Sequence, residues 1–73
     1  MKNRRWERGK KNGRVLRFNC DYANAVIFGA EGVGFYASAV WAHKNKAEGI
    51  EFSMASARLK ANAELDRIEA EQA

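Results

Sequence analysis

The first fourteen residues, MKNRRWERGKKNGR, carry seven Lys or Arg against a single Glu, with Trp6 in their midst. Clustered cations bind phosphates by neutralising charge and releasing counterions. Arg adds bidentate contacts that Lys does not make. A tryptophan inside such a cluster can stack on an unpaired base or enter an apolar pocket. The candidate binding residues are therefore Lys2, Arg4, Arg5, Trp6, Arg8, Lys10, Lys11, Arg14 and, just beyond, Arg17. The competing reading is a solvated tail that grips nothing specific.

Other chemistry is poorly supplied. His43 is the only histidine and Cys20 the only cysteine. A Ser–His or Cys–His pairing would depend on His43 alone, which stands among Trp41, Lys44 and Lys46 with no evident carboxylate partner. One Cys, one His and scattered acids do not make a metal site of closed spacing, so no metal and no cofactor is expected. Cys20 lies in an apolar run and reads as a small core residue, and no internal disulfide can form. Gly32 and Gly34 in EGVG superficially suggest a phosphate-cradling loop, but the residues after them alternate like a strand, so a tight turn fits better. The chain is not expected to be an enzyme.

Charge is divided along the chain. Residues 1–17 hold eight Lys and Arg against one Glu, whereas residues 18–73 hold five basic against eight acidic residues. This asymmetry points to electrostatic attachment through the first part, to nucleic acid, an acidic protein surface or an anionic membrane. Apolar residues are 47% of the chain, enough for one small folded domain with a thin stability margin. The longest apolar runs, such as AVIF at 25–28, are too short to cross a bilayer, and no signal-like apolar stretch comes after the basic start.

The pattern places these residues on elements. Residues 1–13 show no apolar period, and Gly9 and Gly13 interrupt any helix, so they read as a flexible basic arm. Residues 14–73 read as one small α+β domain. Leu16, Phe18 and Cys20 alternate with Val15, Arg17 and Asn19, which predicts a strand. DYAN at 21–24 is a turn, and residues 25–29 are a second strand with Val26 and Phe28 opposite Ala25 and Ile27. After a turn at 30–34, Phe35, Ala37, Ala39 and Trp41 alternate as a third strand. A helix capped by Ser38 and stopping at Gly49 is the alternative. Residues 44–49 are then a polar connection. From about Ser53 a helix begins: Met54, Ala57, Ala61, Leu65 and Ile68 recur at spacings of 3, 4, 4 and 3, forming one stripe. Lys60 with Glu64, and Glu64 with Arg67, are spaced to meet on its surface. Glu69 and Glu71 oppose the helix dipole, so the last turn should fray. The expected architecture is an antiparallel sheet of about three strands, with the stripe covering Leu16, Phe18, Val26, Phe28 and, at the margin, Trp41.

This layout offers two further surfaces. Phe18, Phe28, Phe35, Tyr36 and Trp41 are many aromatics for so small a sheet. Most are expected in the core, with Tyr36 outside, although exposed aromatics on a sheet would stack on single-stranded nucleic acid. The sheet also has two edges to which a partner strand could add, and Leu59 lies opposite the helix stripe.

The MKNRRWERGKKNGR opening, the RVLRFNCDYANAVIFG hairpin and the helical end together resemble the small bacteriophage proteins that bind bacterial RNA polymerase. The resemblance covers the whole chain by size and layout. It implies a non-enzymatic transcription regulator in the cytoplasm of an infected bacterium, one that inhibits host initiation and promotes antitermination. The folded body would dock on RNA polymerase, while the basic segment met acidic protein surface or nascent RNA. It implies no membrane and no small-molecule ligand. The rival expectation is an RNA- or DNA-binding protein that acts without polymerase. An inhibitor of another host enzyme ranks last, because Arg58, Lys60 and Arg67 interrupt the acids of the helix.

Overall fold

A computed structural model describes residues 4–11, 13–29, 34–42 and 45–72. The fold is α+β: five antiparallel strands in simple meander order, followed by one helix. The strands are β1 (Glu7–Arg8), β2 (Val15–Asn19), β3 (Asn24–Gly29), β4 (Tyr36–Ala42) and β5 (Asn45–Glu51), and α1 spans Met54–Gln72.

The three expected strands are present, and two more flank them. Asn45–Glu51, expected as part of a connection, is a full-length strand paired along its length with β4. This pairing excludes the helix alternative for residues 38–49. The reason lies in its alternation: Ala47 and Gly49 share the register positions of Val40 and Ser38, and their small size lets α1 pass over this strand. Charged Lys46 and Glu48 project to the opposite face. At the other edge, Glu7 and Arg8 pair with Arg17 and Leu16. The turn at 30–33, together with His43 and Lys44, lies outside the described residues.

The helix begins where Ser53 caps it. The Ser53 hydroxyl accepts from the Ser56 amide at 3.1 Å, and its carbonyl accepts the first helical bond from Ala57. The expected stripe faces the sheet: Ala57, Ala61, Leu65 and Ile68 are buried and Met54 packs beside them. It crosses β4 chiefly, then β5 and β3. Lys60 reaches back to Glu51 at 3.2 Å instead of meeting Glu64, which pairs with Arg67. The helix continues to Gln72 although no basic residue lies in its last turn, because Glu71 is held by Arg67 at 2.6 Å and Glu69 by Arg4.

The covered face differs from expectation on β3. Ala25 and Ile27 lie under the helix with Leu16, Ala23, Val40 and Ala42, while Val26 and Phe28 point away. Alanines on both the helix and β3 allow close approach, and Ile27, Leu65, Leu16 and Ile68 fill the remaining volume. Trp41 and Phe35 are exposed with Phe28, whereas Tyr36 is half-buried against the core. The Tyr36 ring lies on its partner Gly29, so closely that a Cβ at that position would sit 2.5 Å from Cε2. Cys20 is half-buried, with its thiol donating to the Ala23 carbonyl.

Candidate functional site

The basic segment divides into two parts with different fates. Arg4 is a structural anchor, its side chain only 3% exposed. It pairs with Asp66 at 2.7 Å and Glu69 at 3.2 Å, donates to the Asn62 carbonyl, and lies 5.8 Å over the Phe18 ring. Burial pulls its pKa down, but hydrogen bonding to Asp66 and Tyr22 outweighs that and raises it. Tyr22 donates to Glu69 at 3.2 Å, and burial followed by Glu69 pushes the phenol above its ordinary range, against the pull of Arg4. Trp6 stacks obliquely on Phe18 at 5.6 Å and donates its indole N–H to Asn62 Oδ1 at 3.1 Å. An arm free from residue 1 to 13 is thus corrected for its described part. Residues 4–8 are strapped across the sheet edge onto α1 because a planar cation and an indole both find partners there.

The second part is the turn between β1 and β2. The Gly9 amide bonds the Val15 carbonyl at 2.8 Å, and the Arg8 guanidinium closes the turn onto the Gly13 carbonyl. Lys10, Lys11 and Arg14 are exposed on this hairpin, and Arg17 is exposed on the sheet face turned away from α1. Arg8, Lys10, Lys11 and Arg17 come together around an open hollow of about 470 Å³, completed by Glu7, Gly9 and Val15. Among the described residues no carboxylate ion-pairs with Lys10, Lys11 or Arg17. Arg5 is exposed outside this group, and Lys2 lies outside the described residues. The arrangement suits an anion.

Next to this hollow lies the uncovered face of the sheet, a surface the sequence suggested but whose aromatics, Phe28 among them, were mostly expected in the core. In register across four strands, Val15, Phe28, Ala37 and Ile50 form one apolar row on the uncovered face. Phe28 is 49% and Ile50 65% exposed. A second open hollow, of similar size, lies between them over Ala37 and Ala39. The available signal was β3 itself, apolar on both alternating sets, as a strand covered on both sides would be.

No protein family, curated protein or solved structure matches this chain. Among the described residues no group of His, Cys, Asp and Glu is placed to hold a metal ion, and no helix is long and apolar enough to cross a membrane.

Proposed function

We propose that this chain is a phage-type transcription regulator that acts by occupying bacterial RNA polymerase. Its effect on initiation and on termination then requires binding alone. The observation that carries this reading is a cluster of exposed cations in which, among the described residues, Lys10, Lys11 and Arg17 have no carboxylate ion pair. These cations gather on one hairpin, at Arg8, Lys10, Lys11 and Arg17, whereas the acids Glu64, Asp66, Glu69 and Glu71 of the helix are held by Arg67 and Arg4. An exposed cationic hairpin beside an apolar face supports attachment to an acidic protein surface or to nascent RNA leaving the enzyme. The resemblance in size and layout supplies the identity of the partner.

The test is co-elution of the purified chain with RNA polymerase on a sizing column at low and moderate salt. Lys10→Glu with Lys11→Glu is the informative variant, because both side chains are exposed and deletion of the segment would also remove the Arg4 and Trp6 anchors. Co-elution that the double variant weakens about ten-fold or more, with the wild-type complex loosening as salt rises, supports the reading. A wild-type chain that elutes alone rejects it.

A further inference from the structure

We infer that the uncovered face of the sheet is a stacking platform for single-stranded nucleic acid, with Phe28 as the principal ring and Arg17 as the phosphate contact beside it. This goes beyond the polymerase reading and does not depend on it.

The two hollows adjoin. Val15 lines the cationic one and Phe28 the apolar one, and the two residues are cross-strand partners. A groove therefore crosses the strands from Gly9 through Val15, Phe28 and Ala37 to Ile50. Four strand spacings make it roughly 19 Å long. Its ends differ in kind, with four cations and Glu7 at one end and at the other a slot whose walls are Phe28 and Ile50, whose floor is Ala37 and Ala39, and which Glu48 also lines. Phe28 and Ile50 are two strands apart, about 10 Å, which leaves room for one planar ring between their side chains.

Charge decides the occupant. Arg17 pairs with Val26, so it is the diagonal neighbour of Phe28, with Cα atoms about 7–8 Å apart. A base stacked on Phe28 would place its phosphate within reach of the guanidinium. Further along the face, Trp41 is 37% exposed and Lys46 lies 5.9 Å over its ring, repeating the pairing of ring and cation. Among the described residues the two acids on this face have cationic neighbours: Glu48 pairs with Lys46 at 3.0 Å and Glu7 stands opposite Arg17 in register. Alternating rings and cations complement a chain of bases and phosphates. A duplex hides its base faces, so the complement is a single strand.

The experiment is fluorescence anisotropy of the full chain, without polymerase, against a labelled oligouridylate, an oligothymidylate and a perfect duplex. Single strands are expected to bind at least ten-fold tighter than duplex. Phe28→Ala removes the ring, and Ala37→Leu fills the slot while leaving every charge in place. Each should weaken single-strand binding about ten-fold and leave the chain folded. Equal affinity for duplex and single strand, unaltered by either variant, overturns the inference in favour of attraction by the hairpin cations alone. Absence of oligonucleotide binding, with a dimer in sedimentation that Phe28→Ala dissolves, overturns it in favour of a second copy of this chain.

Discussion

The two faces of one sheet are built from alternate residues of the same strands, yet they obey different rules. On β3, Ala25 and Ile27 are sealed under the helix at 3% and 0% exposure, while bulkier Phe28 stands 49% exposed one residue away. Size and apolarity therefore do not decide which set is buried here. The helix brings Ala57 and Ala61 to the interface, and small residues on both sides give a close fit that Val26 and Phe28 would prevent. The face left open keeps unused driving force, since full burial of a Phe or Ile side chain is worth about 1.5–3 kcal/mol.

This contrast can be broken most severely from the covered side. Leu65→Ala, at a fully buried position, should cost about 2–5 kcal/mol in chemical denaturation, enough to unfold much of so small a domain. Trp6→Ala, at the half-buried strap, should cost about 2 kcal/mol and leave residues 4–8 rapidly exchanging their amide hydrogens. The open face should behave oppositely. Phe28→Ser should cost only about 1 kcal/mol while lowering the binding of an apolar dye. The smallest effect concerns pH. The phenol of Tyr22 is held above its unfolded value, so the folded state keeps its proton more firmly. That contribution is complete below about pH 10 and is lost as pH rises through the folded pKa. Denaturation of Tyr22→Phe followed from neutral to strongly alkaline pH should show a shallower alkaline decline than the parent chain.

Local signals made part of this structure legible. The Met54–Ile68 stripe and the alternation from Val15 to Trp41 report local periods, and both reappear in the fold. β5 was obscured because charges and Gly49 suggest a loop, whereas only its neighbours show why small residues are needed under the helix. The choice of face on β3 was illegible for the same reason: either alternating set is apolar, and the packing partner decides. The candidate site divides likewise. Lys10, Lys11 and Arg17 remain exposed cations as their composition suggested, but Arg4 and Trp6 turn inward to partners 56 to 65 positions away, which no local pattern encodes.

Among the described residues the helix comes after every strand, and it alone covers a face of the sheet. Each strand is therefore made before the element that covers it. Arg4 is made well before its partners Asp66 and Glu69. Closing the core consequently waits on long-range contacts, Leu16 and Ile27 with Leu65 and Ile68, which makes folding slower than for a chain of local contacts.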